Sequence, residues 1–474
     1  MSRAILSKDM TLLGRETLVR GMFVIVVVLV LGSLVTGLQR EEVFEKEKTA
    51  ALDTDEAVWM NQGDRNPHSA AHFSRYAFRP ASPLALLDPG TTDFAGLAIW
   101  MEAHYQDPAV FRRAEDEGEL SRFANLTPAF LTLTVAPLVV FLMLFGSVAG
   151  EREDGTLRQL LATGVSSSQF FFGKFGAGLR LTILAFTAVF VPVAALSVFL
   201  TPAEAGSDAV TRIGALYLTY VMYLVVFVAI AIGISAMFRT RQAAFLALTC
   251  VWVLMAVLAP RFASDLGTSL HPQPDAREAS SRLSAASNIY YADMDRRKRI
   301  EEEVLERYNV ATIEELPINY GAYVLQVSEE LSEPEFDRFY SDLDDRYGAQ
   351  ESVLRWVSLL TPAISAANLS RGISGTDRVH QRAFAQAAEE HRREMIQLLN
   401  EDYMYNAGSA GARYTADAGL WSQFEDLDYR MPGLFRIASS YAVDALILVA
   451  WLIGGLAVAF QLVGRAVRGE VPIA

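Results

Sequence analysis

The sequence predicts an α-helical polytopic membrane protein with six transmembrane helices and two mostly helical extracytoplasmic insertions. Two observations predict this fold class: the apolar residues are bunched into six blocks, and the acidic residues are concentrated in two long segments between blocks. The hydrophobic content of 52% decides little by itself, because soluble proteins come close to it. Few stretches alternate apolar and polar residues, so little β-sheet is expected.

The six apolar blocks are each long enough to cross a bilayer, since about 20 apolar helical residues span a hydrocarbon core about 30 Å thick. The first block, residues 21–38, holds no charged residue. We interpret it as a retained helix rather than a signal peptide, because its apolar core is too long and no A-x-A cleavage motif follows. The predicted spans are residues 21–38, 128–149, 179–200, 213–237, 243–260 and 441–463.

The predicted orientation follows from Lys and Arg, which are enriched in short cytoplasmic loops. With six spans, the short basic segments all fall on one side, whereas the loop 201–209 on the other side has acidic residues and no Lys or Arg. Residues 39–127 hold 16 acidic and 9 basic residues, and residues 262–436 hold 30 and 18. Both termini are therefore predicted to be cytoplasmic. The basic residues on that side include Arg3, Lys8, Arg15, Arg20, Arg152, Arg158, Lys174, Arg239, Arg241, Arg465 and Arg468.

The spans divide the rest of the chain into segments with distinct predicted environments. Residues 1–20 are predicted to be a cytoplasmic amphipathic segment, and the loop 150–178 and the tail 464–474 are also placed in the cytoplasm. Residues 39–127 and 261–437 are the two extracytoplasmic insertions, and the second has several amphipathic helical patterns.

One apolar stretch of the second insertion, residues 358–370, is too short to cross a bilayer and contains Pro362. Two placements stay open for it. It either lies on the outer membrane surface or packs within the insertion.

Composition and spacing exclude several kinds of site. The net charge of −14 argues against a nucleic acid partner. Cys250 is the single cysteine, so neither an intrachain disulfide nor a cysteine metal site is expected. His68 and His72 have an i,i+4 spacing, but Pro67 makes the context irregular, so no metal site is predicted. No catalytic residue is predicted, and no cofactor is expected to bind the chain directly.

The loop at residues 150–178 is the most informative part of the sequence. Residues 156–162 are predicted to form a short helix after a turn at Gly155, and Gly164 is predicted to end it. A short helix tied to two spans would act as a lever, because a cytoplasmic protein that pushed on it would move both spans. A connecting loop that binds nothing is equally compatible with this geometry.

This loop resembles the coupling-helix region of permease subunits of type-two ABC exporters. The family pattern is E-x-E-x-G-T-L-x-x-L-L followed by a distant G-K, and the loop reads EREDGTLRQLLATGVSSSQFFFGK. Val165 departs from the family, which often has proline there, and this departure alters the turn. The positions that match, and that the resemblance implies in ATPase coupling, are Glu151, Glu153, Gly155, Thr156, Leu157, Leu160, Leu161, Gly173 and Lys174.

The resemblance implies a permease subunit of an ATP-binding-cassette exporter in the bacterial inner membrane, similar to a subfamily with long insertions between spans one and two and spans five and six. Gly173-Lys174 is not part of a G-x-x-x-x-G-K-[ST] motif, so ATP and Mg²⁺ are expected in a separate cytoplasmic ABC ATPase subunit, present in two copies. The chain itself is expected not to be an enzyme. A second permease copy or a related permease, membrane lipid and a periplasmic envelope protein are the other expected partners.

Three polar residues within the predicted spans are candidates for a substrate path. Asp444 lies one turn into the sixth span, where it either contacts substrate or is hydrogen-bonded near the outer interface, and the second interpretation is favoured. Tyr217 and Tyr220, together with Tyr223, have helical spacing. A packed stripe is favoured over a cavity lining for these tyrosines.

Two other functions stay open. A mechanotransmission permease would pass force to an outside partner and move no substrate, which would suit the long helical insertions. A membrane scaffold or receptor would need no ATPase. If the chain does export a cargo, the apolar spans favour a lipid, a lipid-linked molecule or a peptide.

Overall fold

A short amphipathic helix leads into the first long helix of the protein. Helix α1 (Ser2–Arg15) is followed after one residue by α2 (Thr17–Met60). The charged run after the apolar block continues the helix, and Glu42 and Lys46 pair across one turn at 2.6 Å. At about 1.5 Å per residue, α2 is about 66 Å long and reaches far beyond one bilayer thickness. The computed structural model describes residues 1–73, 75–82, 84–112, 126–201 and 206–470.

The first insertion carries a small antiparallel sheet. Its three strands follow the order β1-β2-β3, with Tyr76 opposite Trp100. The strands are two to five residues long, which is why the sequence shows no long alternating pattern. The elements of this insertion are α3 (Pro67–Ala70), β1 (Arg75–Phe78), α4 (Thr92–Ala95), β2 (Ala98–Glu102) and β3 (Tyr105–Gln106).

Four long helices and one short helix occupy the middle of the chain. Two of the long helices, α5 and α9, contain a π-helical segment that ends just before a proline, Pro137 or Pro260. Because proline has no N–H and its ring needs space, a widened turn accommodates it without breaking the helix. These elements are α5 (Pro128–Glu153), α6 (Thr156–Ala162), α7 (Ser167–Leu200), α8 (Gly206–Met237) and α9 (Arg241–Leu270).

The second insertion is helical throughout its regular elements. Its longest helix has 38 residues, and it packs against a 29-residue helix that follows it in the chain. The last long helix of the protein then returns through the bundle. These elements are α10 (Ala276–Ser287), α11 (Met294–Tyr308), α12 (Tyr320–Val357), α13 (Pro362–Ser374), α14 (Arg378–Asn406), α15 (Ala418–Trp421) and α16 (Leu434–Val467).

Six of these helices are long and apolar enough to cross a membrane: α2, α5, α7, α8, α9 and α16. The predicted fold class, a polytopic helical membrane protein, is therefore confirmed. Helix α8 forms the centre of the bundle, because 61% of its most apolar window is buried against 11–39% for the other five. Its neighbours in the bundle include α5, α7, α13 and α16.

The two insertions pack together at one end of the bundle, here called the insertion end. Trp59 of α2 is almost fully buried, and its indole N–H donates to the carbonyl of Trp421 at 2.9 Å. Ile99 and Met101 of the sheet share a hydrophobic core with Phe384 of α14. The insertions thus form one unit, although the sequence separates their cores by about 300 residues.

Most of the apolar stretch 358–370 is packed inside the protein, where it contacts the long apolar helices as well as the insertions, whereas Leu359 and Leu360 near its start are exposed. Most of α13 is buried, and it lies against α8 and α16. At its start the Thr361 hydroxyl donates to the carbonyl of Met255 in α9 at 2.7 Å. The indole of Trp451 in α16 donates to the carbonyl of Ser358 at 2.9 Å. The second insertion therefore re-enters the bundle at α13.

Candidate functional site

The short helix α6 lies at the end of the bundle opposite the insertions, here called the α6 end. Gly155 precedes it with a φ of 75°, a left-handed conformation that favours glycine. Gly164 follows it with a φ of 81°. Ser166 then begins α7 with a capping box, in which its side chain accepts from the backbone of Gln169 and the Gln169 side chain accepts from Ser166 in return. Two glycine turns and a cap thus fix where α6 begins and where α7 follows.

A group of four charged side chains, here called the charge cluster (Lys8, Asp9, Glu151 and Lys174), joins α6 to its neighbours. The Lys174 ammonium of α7 lies 2.6 Å from the Glu151 carboxylate of α5 and 3.0 Å from Asp9 of α1. Lys8 of α1 also reaches Glu151, at 3.0 Å. The Thr156 hydroxyl, at the start of α6, donates to Glu151 as well. Four helices therefore meet at one carboxylate.

Burial makes the charge cluster energetically demanding. Asp9, Glu151 and Lys174 are each less than 10% exposed. Burial raises the pKa of Asp9, although Lys174 opposes this effect. A buried charge is stable only when its partners are present, because removal of one partner leaves an uncompensated charge in a poorly solvated site. The cluster thus favours one relative position of α1, α5 and α7.

The same end of α5 is also fastened to the turn between α8 and α9. The backbone N–H of Arg241 donates to Glu153 at 2.8 Å, and its guanidinium binds Asp154 with one contact of 3.0 Å. Arg152 donates to the carbonyl of Ala236 at 3.2 Å. Gly150 leaves room for the Arg241 side chain, since a Cβ there would lie 2.8 Å from its Nε atom.

A serine hydroxyl completes the junction between α5 and α8. The hydroxyl of Ser235 accepts from the backbone N–H groups of Val148 and Ala149 at 3.0 and 3.1 Å, and it donates to the carbonyl of Phe145 at 2.7 Å. These three hydrogen bonds replace backbone hydrogen bonds that α5 lacks where its helix is interrupted by a turn over residues 145–148. The α6 end of the bundle is therefore held together by side chains from α1, α5, α7 and α8.

The apolar residues of the motif face inward. Leu157 is buried, and Leu160 and Leu161 are partly buried against the main hydrophobic core. Gly173 allows α1 to lie directly on α7, because a Cβ there would come within 2.7 Å of Ile5. The opposite face of α6 is exposed and consists of Arg158, Gln159 and Ala162. We call these three residues the exposed face of α6.

Several residues of this site have no signal in the local sequence. The motif identifies Glu151 and Lys174. Asp9 binds Lys174 but lies 165 residues before Lys174 in the sequence. Arg241 and Ser235 also lie outside the motif, 88 and 86 residues from their respective partners Glu153 and Ala149. The basic residues of α1 and of the α8–α9 turn were visible in the sequence only as evidence for orientation. The exposed face of α6 could have been inferred, because it is the complement of the leucine face on a 3.6-residue period.

Each of the three polar residues predicted within the spans forms a hydrogen bond to a neighbouring helix. Asp444 is 1% exposed and accepts from Asn368 of α13 at 3.0 Å and from Arg355 of α12 at 3.3 Å. Tyr217 bonds the hydroxyl of Thr187 in α7 at 2.8 Å. Tyr220 bonds the hydroxyl of Ser370 in α13 at 2.6 Å. These contacts place the three side chains in helix packing.

Three histidines for which the sequence predicts no role lie close together in the first insertion. The ring centroids of His68, His72 and His104 lie 5.0–5.5 Å from one another. His104 is on the turn between β2 and β3, about 30 residues beyond the other two. The sequence offered only the spacing of His68 and His72, and so no site was predicted there.

Comparison with known families gives a match that covers nearly the whole chain. The model described as ABC-2 family transporter protein matches residues 3–466. This range contains both insertions and the charge cluster. It also contains all six long apolar helices, except for the last residue of α16. Comparison with curated proteins gives no match.

Proposed function

The chain belongs to the ABC-2 transporter family, and we propose that it is the transmembrane permease subunit of an ATP-binding-cassette exporter in the bacterial inner membrane. In this proposal both termini and α6 face the cytoplasm, and the insertions lie outside. ATP and Mg²⁺ bind a separate ATPase subunit, two copies of which dock beneath a pair of permeases. The pair consists of two copies of this chain or of this chain and a related permease.

The observation that carries this proposal is the charge cluster beneath an exposed helix face. The exposed face of α6 is accessible to another protein, and it consists of Arg158, Gln159 and Ala162. The other side of α6 is packed against the bundle. A force on the exposed face reaches Glu151 through Thr156, and from Glu151 it reaches α1 and α7 through the two lysines. ATPase closure would thus move several helices together.

A path for this motion leads from α8 to the insertions. Ser235, near one end of α8, binds the end of α5, and Tyr220 binds α13. Further along α8, the Arg212 guanidinium is fully buried and donates to the carbonyl of Ile373 in α13 at 2.8 Å. Because α13 belongs to the second insertion, a displacement of α8 is passed to the insertion end.

The proposed cargo is apolar, in agreement with a cavity between α2, α5, α7 and α8. This cavity has a volume of about 350 Å³ and is lined by side chains such as Phe23, Val140 and Phe186. A hydrophilic cargo would lose its hydrogen bonds to water there without adequate replacement. Lipid chains, lipid-linked molecules or apolar peptides fit this lining.

A docking experiment tests the proposal. The chain is coexpressed with a candidate ABC ATPase subunit from the same genome, and the complex is purified by a tag on the permease. Arg158→Glu reverses a charge on the exposed face of α6, so we expect loss of most copurifying ATPase and at least a several-fold fall in permease-dependent ATP hydrolysis. Arg239→Glu makes the same change at an exposed position outside α6 and serves as the matched control.

Two outcomes overturn the proposal. If the wild-type chain retains no ATPase, the chain acts as a scaffold or receptor. If Arg158→Glu and Arg239→Glu retain the same amount of ATPase as the wild type, docking does not use α6.

A mechanotransmission permease is the second candidate, and the continuous α2 and the re-entrant α13 favour it. Both connect the bundle directly to the insertions, so motion of the bundle would do work outside without passage of cargo. A photoreactive lipid or peptide that labels the wall of the cavity between α2 and α7 during ATP hydrolysis would contradict this candidate. Labelling confined to the insertions would support it.

A further inference from the structure

Three imidazoles of the first insertion form a cluster whose spacing fits a metal ion. The ligand nitrogens of His68, His72 and His104 all lie within 4.8 Å of one another. Three nitrogens that bind Zn²⁺ at about 2.0–2.1 Å in a tetrahedral site lie about 3.3 Å apart. Small rotations of the side chains therefore suffice to bring the three nitrogens to coordination distance.

The backbone of the insertion places each imidazole. Asn66 caps α3 by accepting from the backbone N–H of His68, which fixes the start of the helix that carries it. His72 follows the same short helix after one turn. His104 lies in the turn between β2 and β3 with a φ of 72°, a conformation that is unusual for a residue other than glycine. Uncommon backbone conformations of this kind are frequent at functional sites.

A buried carboxylate orients His104 toward the other two rings. Glu329 of α12 lies 3.0 Å from Nδ1 of His104 and also accepts from its backbone N–H at 2.7 Å. A proton on Nδ1 leaves Nε2 with a free lone pair for a metal. Carboxylate–histidine–metal arrangements of this type recur in zinc proteins, where the carboxylate fixes the tautomer and the ring.

The orienting carboxylate is itself held in place. Arg392 of α14 donates to Glu329 at 3.3 Å, to the carbonyl of Glu102 at 3.1 Å, and to Glu389 through two contacts of 2.8 and 2.9 Å. Although burial opposes it, the hydrogen bonds of His104 and the charge of Arg392 hold the pKa of Glu329 below its ordinary value. The carboxylate that orients His104 is thus fixed between α12, α14 and β2.

We propose that His68, His72 and His104 bind one divalent transition metal ion, with Zn²⁺ as the best fit, and that Glu329 positions His104. Imidazole ligands suit ions of borderline softness, and the residues bring no thiolate. His72 is exposed, so the fourth coordination position opens to solvent and is available to water or to a donor from another molecule. The site does not depend on the proposed transport function.

The pKa of His68 agrees with a ligand role. Burial, together with the neighbouring His104 and His72, lowers the pKa of His68 to about 4. Neutral imidazole is the form that binds metals. The geometry of the three rings and of Glu329 nevertheless carries the inference.

Zinc binding to the purified full-length chain tests this proposal. The protein is stripped with a chelator, and Zn²⁺ is titrated against a chromophoric competitor. We expect one high-affinity Zn²⁺ per chain in the wild type and in His271→Ala, a control that removes a histidine outside the cluster. We expect its loss in the His68→Ala/His72→Ala/His104→Ala variant. Glu329→Gln should raise the zinc dissociation constant about 10- to 100-fold without loss of the stoichiometry.

Co²⁺ substitution provides a second readout. We expect the wild-type chain to show the visible absorption of tetrahedral Co²⁺ and the triple variant to lack it. Thermal unfolding without metal shows whether the variants are folded, and added Zn²⁺ should raise the Tm of the wild type and of His271→Ala but not that of the triple variant. Equal zinc binding by wild type and the folded triple variant, or no high-affinity binding by the wild type, overturns the proposal.

Discussion

The two ends of the helical bundle are held together by different chemistry. At the α6 end, helices α1, α5 and α7 meet through buried ion pairs centred on Glu151 and Lys174. At the insertion end, Thr361 and Trp451 bond α13 and the turn before it to α9 and α16 through neutral groups. The buried charges of Arg212 in α8 and Asp444 in α16 each bond a neutral group of α13, the carbonyl of Ile373 and the amide of Asn368.

This difference suggests a division of roles between the ends. A buried ion pair loses much free energy when it separates, so helices joined by such pairs are expected to move as one body. Hydrogen bonds that have at least one neutral partner contribute less each and can be exchanged one at a time. We therefore expect the α6 end to transmit displacement and the insertion end to yield to it.

Lys174→Ala should have the largest effect on stability. It removes the cation shared by Asp9 and Glu151 and leaves two buried carboxylates close together. We expect the free energy of unfolding to fall by about 3–5 kcal/mol, measured by denaturant unfolding in detergent with tryptophan fluorescence.

Lys46→Ala is the matched control for that substitution, because its partner Glu42 is exposed like itself. It should change the free energy of unfolding little. An equal effect of the two lysine substitutions would show that burial does not strengthen the charge cluster.

Gly372→Ala tests the packing of the re-entrant helix α13. A Cβ at this position would lie 2.2 Å from the ring of Tyr441, so either the ring or α13 must shift. We expect a loss of about 1–3 kcal/mol in the free energy of unfolding. Gly454→Ala in α16 is the control, since a Cβ there meets no atom within 4 Å. Equal stability of the two variants would contradict the close packing described for α13.

Tyr220→Phe should have the smallest of these effects. It removes the hydroxyl that bonds Ser370, while Ser370 keeps its contact to Asp88. We expect a loss of about 0.5–1.5 kcal/mol, measured in the same unfolding assay. Tyr405→Phe, at an exposed tyrosine, should be neutral. If Tyr220→Phe costs as much as Lys174→Ala, the contrast between the two ends does not hold.

The sequence predicts best what depends on local pattern. The apolar blocks identify the six long helices because a membrane-crossing helix must be apolar over its whole length. The turn at Gly155 and the end of α6 at Gly164 were predictable because each needs a specific residue type at one position.

Contacts between distant segments are the part that the sequence does not show. Asp9 and Arg241 are ordinary charged residues until the fold places them beside Lys174 and Asp154. The re-entrant course of α13 was equally hidden, since a 13-residue apolar stretch suits a membrane surface as well as a protein core. The histidine cluster depends on a short sheet that leaves almost no alternating pattern, so its third member could not be paired with the first two.

In the proposed complex, the exposed face of α6 binds the ATPase. Site-specific photo-crosslinking tests it most directly, with a photoreactive amino acid at Gln159 in the coexpressed complex. We expect a crosslink from position 159 to the ATPase that depends on the presence of both subunits, and none from the exposed Arg430 at the insertion end. A crosslink from position 430 with none from position 159 would contradict it.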